Sequence, residues 1–523
     1  MSLELVKTKN EEFQEEYPNM VKKIKNKQLQ EFEPKLKEIE GIYKIIIDFI
    51  IEKKRKIYGG YALNMLLSNK DKKLELYDEM DIKTADIDFY TPEPIKDMIE
   101  LCIKLNDAGY KPIEGREADH KDTYSIFVNY RLFCDLTYVP NNIYKKARFI
   151  EINKFYVIHP WFMMIDYFRM FTDPMISYWR LEKHFERYMK IQKSYPLPLV
   201  QKPLIMSPYK NKNITKAIDM IFDFVTDKET ILITGFYIYN YYLYSSDYKK
   251  YNKKYDYVNI PYLEIYSINY VKDALDILNY IKSISELSNN ITHAEFYPFF
   301  QFYGYNFVLY YNDGKEKVPI LYFYSNNKRC IPYKKVDYIK FDNSNNNDVI
   351  IDKNKKINIG CFDHNILHAL IILVKVRVDD DNEWNDVLYK YINGLVTFRN
   401  YFLDKNKETI YSDSIFQGFV IDCIGETVDP KREKRLNIEL RKKLKKPYVF
   451  KYDPTVSKAN INYKFSNSSG NQITNQIYLK ITEENLAKQL IGDLDIEEIT
   501  DDDTVDINND DIKNTVDNVD ITN

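Results

Sequence analysis

Over residues 1–56 apolar positions such as Ile39, Ile42, Ile46 and Phe49 recur at helical spacing amid Lys and Glu, which predicts helix. Pro18 and Pro34 are expected to break this region into pieces. From about 57 to 160 the pattern becomes mixed. KIYGGYALNMLL predicts a short extended approach, a glycine turn and a helix, and ADIDFY alternates as a strand does. PIKDMIELCIKLNDAGY predicts a helix closed by Gly109 as its C-terminal cap. YSIFVNYRLFCDLTYV predicts two adjoining strands, and residues 159–193, beginning HPWFMMIDYFRMF, predict longer helices.

The same order of elements then returns. KETILITGFYIYNYYL matches KKRKIYGGYALNMLL, and PYLEIYSINYVKDALDIL matches ADIDFYTPEPIKDMIELC, both at one ungapped offset of 176 residues. Gly235 falls on Gly59, Asn240 on Asn64 and Glu264 on Asp88. VPILYFYSNN parallels FCDLTYVPNN, and CFDHNILHALIILVKVRV parallels the helix after His159. An internal duplication follows. The second copy has Tyr262 where Asp86 stands and, on this alignment, Ile320 where Asp135 stands. It is expected to keep the shape of the first copy without its chemistry.

Composition narrows the class. A chain of 523 residues with 45% apolar side chains is long enough for two to four domains and excludes wholesale disorder. Cys102, Cys134, Cys330, Cys361 and Cys423 are scattered without a CxxC pair, so no disulfide framework or cysteine zinc site is indicated. That usage fits a reducing, intracellular compartment. The N-terminus lacks an apolar signal region, and no apolar stretch approaches the roughly 18–20 residues that span a bilayer. The net charge of −3 conceals twelve acidic residues against one Lys over 493–523, leaving the rest of the chain at about +8. A basic body suits a polyanionic partner such as nucleic acid. Residues 431–446 concentrate nine Lys or Arg against two Glu, whereas 483–523, rich in Asp and Asn, read as an acidic disordered tail.

Three features carry candidate chemistry. Gly59-Gly60 opens a helix, Asp86-Ile87-Asp88 lies on a predicted strand, and Asp135 lies on a later one. Strand residues two apart share a face, so Asp86 and Asp88 present their carboxylates together. Asp135 emerges between apolar Cys134 and Leu136, a placement that costs free energy unless the charge is matched. Two divalent cations match it: carboxylate oxygens suit Mg²⁺, which retains bonds to water and phosphate. The glycines let backbone approach a triphosphate at a helix N-terminus. Singly, each feature has a plain structural reading as a turn, a solvated pair or a strand cap. Joint occurrence in this order favours the metal reading.

YGGYALN followed by DIDFY and FCDLTY resembles the polymerase β-type nucleotidyltransferase superfamily. Two departures stand out: 25 residues separate Gly60 from Asp86, including the charged insertion SNKDKKLELYDEMDIKT, and Tyr61 replaces a side-chain hydroxyl after the glycine pair. Over roughly residues 1–480 the layout is similar to the poly(A) polymerase catalytic subunits of poxviruses and large DNA viruses. The resemblance implies an α+β fold in four parts. An N-terminal helical region, 1–56, precedes two tandem nucleotidyltransferase-like domains at 57–200 and 201–482, the second degenerate, and the tail closes the chain. It implies a polynucleotide adenylyltransferase that adds AMP from ATP to RNA 3′ ends, using two Mg²⁺ or Mn²⁺ ions. Asp86 and Asp88 would hold both ions, with Asp135 completing one site and orienting the 3′-hydroxyl. The backbone at Gly59 and Gly60 would hold the β- and γ-phosphates, with ATP in a cleft between the copies. It also implies residence in the host cytoplasm, at a viral factory, or packaging in a virion.

Other readings stay open. A CCA-adding or oligoadenylate-forming enzyme, or a non-catalytic RNA-binding processivity subunit, shares the layout. Either a second copy of the chain or an accessory subunit could support processivity. His364 and His368 are spaced i, i+4 but lack the Glu of a zinc HExxH motif, and read as core. The tyrosine-rich stretch 237–270 reads as packing rather than base stacking. Lys145, Lys146 and Arg148, after the Asp135 strand, are candidate phosphate contacts, as is the run 431–446.

Overall fold

The computed structural model describes residues 10–443 apart from interior gaps at 33, 121, 201, 297–298, 300–305, 313, 315, 327–328, 342–348, 379–380, 382 and 428. It also describes 451–455 and the two-residue strands 465–466 and 504–505. Apart from Thr504–Val505, the acidic tail lies outside the described residues, as do the last three residues of the basic run 431–446. The described residues fall into two compact units, one within Met1–Tyr138, Glu151–Val157 and Val449–Ile461, the other within Val139–Ile150, Ile158–Tyr448 and Asn462–Asn523.

The first unit begins with helices α1, Asn10–Glu31, and α2, Leu36–Glu52. In α2 the predicted face, including Ile39, Ile42, Ile46 and Phe49, is buried. Pro34 lies between the two helices, but Pro18 lies inside α1, correcting the expected break there. Pro18 is exposed, so water takes over the bonding that its missing N–H forfeits. A mixed sheet follows, with β1 at Lys56–Tyr58, β2 at Ile87–Thr91, β3 at Ile113–Glu117 and β4 at Thr123–Val128. It continues with β5 at Arg131–Tyr138, β6 at Phe149–Ile152 and β7 at Phe155–Ile158. Its order is β3-β4-β5-β2-β1-β7-β6, and a late strand, Lys451–Tyr452, adds to the β3 edge. Helix α3, Gly59–Lys70, follows β1, and the helix Pro94–Asp107 follows β2 and ends ahead of Gly109, whose φ is +91°.

The second unit repeats this plan. Its strands are β8, Ile231–Thr234; β9, Leu263–Ser267; β10, Ile291–Phe296; and β11, Asn306–Asn312. Then come β12, Lys317–Ser325; β13, Ile331–Phe341; and β14, Val349–Gly360. The order β10-β11-β12-β9-β8-β14-β13 matches the first sheet strand for strand. The pairing senses match too: β2 runs parallel to β5 and antiparallel to β1, as β9 does to β12 and β8. The bounds of β9 and of the helix Tyr270–Ser283 are those of β2 and Pro94–Asp107 moved by 176 residues. This is an α+β fold of two copies of one plan, preceded in sequence by a helical region.

Buried polar bonds are copied along with the backbone. Asp97 accepts from the Thr91 hydroxyl and, at 2.7 Å, from Arg55. At the matching place Asp273 accepts from Ser267 at 2.6 Å, Thr230 at 2.7 Å and Lys228 at 3.3 Å. Each carboxylate ties the first turn of its helix to the end of the preceding strand. The charged insertion is also anchored. The Asn64 carbonyl accepts from the backbone of Leu76 and Tyr77, at 2.6 and 3.1 Å, and Lys25 pairs with Asp81.

Two expectations need correction. Cys330 and Cys423 form a disulfide, with Cα atoms 5.3 Å apart, although no disulfide was indicated. They are 93 residues apart, and only the pairing of Ile331 with Ile424 and Pro332 with Cys423 brings them together. The counterpart of Asp135 in the second copy is Tyr322, not Ile320. Tyr322 stands opposite Glu264 in the β12–β9 register, as Asp135 stands opposite Asp88.

Removing Asp97 leaves the buried Arg55 without its closest carboxylate. Asp97→Ala is expected to cost about 3–5 kcal/mol in urea unfolding. Asp273→Ala costs less, because Lys228 retains Asp276 at 2.5 Å and part of its solvation.

Candidate active site

The site is built at the β1–α3 turn and on the two strands beyond it. Tyr58 ends β1, and Gly59 turns the chain with φ +76° into α3. A Cβ on Gly59 would sit 2.1 Å from Asp88 Oδ2. Both the backbone angle and the absence of room therefore demand glycine. Gly60 follows within the first turn of α3, where backbone N–H groups lack intrahelical acceptors and the helix dipole favours an anion.

Asp88 is paired in register with Tyr58 on one side and Asp135 on the other. Alternation explains how a half-buried acid sits on such strands. Ile87 and Phe89 point into the core beside Asp88, as Cys134 and Leu136 do beside Asp135. Asp86 was expected on the strand, but β2 begins one residue later at Ile87. Asp86 is exposed just ahead of the ladder, leaving its carboxylate free of strand pairing.

The carboxylates perturb one another. Burial, then Asp86 and Asp135, hold the Asp88 carboxyl well above the usual range. Asp135 is raised by burial and by Asp86 and Asp119, against the Ser125 hydroxyl, which donates to its Oδ1 at 2.5 Å. Among the described residues none of Asp86, Asp88 and Asp135 forms an ion pair with Lys or Arg. Nor do any three His, Cys, Asp or Glu side chains among the described residues already close around a single ion. An open Mg²⁺ site takes most of its ligands from water and phosphate, so facing carboxylates without cationic partners fit such ions.

Two participants escaped the sequence reading. Ser125 lies opposite Asp135 only because the β4–β5 register shifts between Ile126 and Phe127. Tyr43, on α2, is buried with an unpaired hydroxyl. Its pKa is raised by burial and by Asp86 and Asp88, against the pull of Arg131. No sequence signal separates it from the core face of that helix.

The matching place in the second copy is filled. Gly235 has φ +69°, and its Cβ would meet Glu264 Oε2 at 1.8 Å. Glu264 is bonded to His368 Nε2 at 2.9 Å, while His368 Nδ1 lies 3.1 Å from the Tyr266 hydroxyl. Tyr262 and Tyr322 pack edge-on at 4.8 Å where acids stand in the first copy. His364 and His368 are core residues, and Tyr237, Tyr239, Tyr241, Tyr242, Tyr262, Tyr266 and Tyr270 are buried. Lys145, Lys146 and Arg148 are exposed on and just after the helix Asn141–Lys146. The helix Pro430–Lys443 carries the described part of the basic run.

A glycine turn pressed against acidic strands, duplicated with tyrosines at two of the three acidic positions, defines a nucleotidyltransferase. Comparison with known proteins narrows this. The family model "Poly(A) polymerase catalytic subunit" matches residues 44–177, and "APMV, Putative poly(A) polymerase, catalytic subunit, C-terminal" matches residues 190–483. The "Putative poly(A) polymerase catalytic subunit" of Acanthamoeba polyphaga mimivirus is 32% identical over 89% of this chain and 82% of its own. A chain of the same name from African swine fever virus (isolate Pig/Kenya/KEN-50/1950) is 29% identical over 34% of this chain and 37% of its own. The crystal structure of the Megavirus polyadenylate synthase superposes with a TM-score of 0.78 at 31% identity, covering 92% of this chain and 95% of that one. The chain belongs to the poly(A) polymerase catalytic subunit family.

Two variants probe the site. Because the folded pKa of Asp88 is raised, its contribution to metal-free stability is full below about pH 4 and is lost as pH rises toward the folded value. Asp88→Asn is therefore expected to melt above wild type at pH 8 without metal, with the gap closing toward pH 5. Mg²⁺ should raise the wild-type melting temperature more than that of the variant. Ser125→Ala should lower kcat for nucleotidyl transfer about 10–100-fold, with little change in the KM for nucleotide.

Proposed function

We propose that this chain is a template-independent poly(A) polymerase that transfers AMP from ATP to RNA 3′ ends. The observation that carries the reading is the juxtaposition of Gly59, Asp88 and Asp135 on one turn and two adjacent parallel strands. Family membership supports adenylate as the transferred group.

Asp86, Asp88 and Asp135 would hold two Mg²⁺ or Mn²⁺ ions. When bound, such ions acidify an attacking hydroxyl and neutralise departing pyrophosphate. The remaining work belongs to the chain. The backbone at Gly59 and Gly60 would approach the triphosphate, with the first N–H groups of α3 available to its charge. Ser125 fixes one oxygen of Asp135, so the other is free to orient the RNA 3′-hydroxyl. The hydroxyl gives up its proton to solvent and its oxygen bonds to the α-phosphorus as the bond to the pyrophosphate oxygen breaks. RNA grows by one adenylate, and pyrophosphate leaves.

The test is extension of a labelled RNA primer with each NTP singly and with Mg²⁺ or Mn²⁺. Wild type should give a ladder with ATP, and Asp86→Ala/Asp88→Ala should give none. Mixed C and A addition, or 2′–5′ linkages, would replace the reading with another nucleotidyltransferase. Full function in the double variant would replace it with an RNA-binding subunit.

A further inference from the structure

Among the described residues of the second unit, neither Arg148 nor Arg377 pairs with an acidic side chain. Arg148 precedes β6, and its carbonyl accepts from the backbone N–H of His159 at 3.0 Å. His159 caps the helix Pro160–Phe171, with its Nδ1 accepting from the N–H of Trp161 at 3.3 Å. The ring hydrogen is thereby left on Nε2, making His159 a neutral donor. Burial and the two guanidinium groups push its pKa down to about 4, which keeps it neutral. Trp161 is held in turn by its indole N–H, which donates to the carbonyl of Tyr195 at 3.3 Å.

Arg377, in the last turn of the helix Phe362–Val378, lies over the Trp161 ring at 4.3 Å. Lying over an indole holds the guanidinium in place without neutralising its charge. One of those nitrogens, Nη1, is buried and has no hydrogen-bond partner. Tyr389 closes another side, edge-on to Trp161 at 5.8 Å. Among the described residues neither Arg148 nor Arg377 forms an ion pair with a carboxylate. The contrast with Arg55 on Asp97 is plain. Arg148 even opposes Arg377, adding its repulsion to the burial that lowers the Arg377 pKa. Arg148 is exposed, so the cluster is open to solvent on its side.

An immobilised guanidinium with an unused N–H edge, a second guanidinium and a neutral imidazole donor together match the oxygens of a phosphate. We propose that Arg377, Arg148 and His159 form a phosphate-binding site that holds a ribonucleotide substrate. The identity of that ligand rests on the polymerase reading above. The phosphate belongs either to the RNA backbone or to the ATP triphosphate, and binding measurements separate the two sources.

The experiment uses the full chain and its Arg377→Gln, Arg148→Gln and Arg377→Lys variants, with Lys193→Gln as a control on an exposed helix face. Fluorescence anisotropy of a labelled single-stranded RNA is recorded across a salt series, and the KM for ATP is taken from primer extension. We expect Arg377→Gln to weaken one of these at least tenfold, Arg148→Gln to weaken the same one, and Arg377→Lys to restore it only in part. If RNA is the ligand, the slope of log affinity against log salt falls by about 0.7 for each phosphate no longer neutralised, and the KM for ATP is unchanged. If ATP is the ligand, the KM rises and RNA binding stays at wild-type strength. If Arg377→Gln does not fold, the exposed Arg148→Gln decides the question. RNA affinity and KM both within twofold of wild type for the decisive variants overturn the site, while an ATP ladder from the same preparations leaves the polymerase reading intact. Failure of that reading shows separately, as absence of any ladder from wild type.

Discussion

The first domain depends on a close approach between a backbone turn and a carboxylate. Gly59 can bring its main chain against Asp88 because it carries no Cβ and adopts a backbone angle that other residues rarely accept. That approach fixes where α3 begins relative to β2, and the register of β2 with β5 then sets Asp135 beside Asp88. The acids are held together by the sheet against their own repulsion. Stability is spent here to keep an electrostatic demand unmet within the chain.

The second domain shows what remains when the demand is removed. Gly235 and Glu264 repeat the close approach, so the turn is a feature of the fold rather than of the chemistry. Around it the charge has been resolved internally: His368 bonds Glu264, and tyrosines fill the space held by acids in the first copy. Asp97 and Asp273 belong to the opposite category. They anchor helices in both copies and were retained in both.

Much of this was legible in the residues. The glycine turn, the alternation around Asp88 and Asp135, and the 176-residue offset depend on local pattern, and local pattern is what a chain displays. What stayed hidden depends on register. Counting back from the Asn129-Tyr130 turn places Ser125 opposite Cys134; the bulge after Ile126 moves it to Asp135. Matching VPILYFYSNN to FCDLTYVPNN likewise gives Ile320 for Asp135, and strand pairing moves the match to Tyr322. Cys330 and Cys423 meet through strand pairing across 93 residues. Arg377 sat in an apolar helix where nothing nearby marked it, and only its stacking on Trp161 sets it apart.

The strand Lys451–Tyr452 pairs with β3 through Arg116 and Gly115, so the first sheet is completed by a segment that follows the whole of the second in the chain. During synthesis the β3 edge therefore waits, with its hydrogen-bonding groups unclaimed, until the ribosome has passed the repeat. Such an edge is open to pairing with other chains in the interval. The order of translation makes the first sheet the last to be sealed, although its residues emerge first.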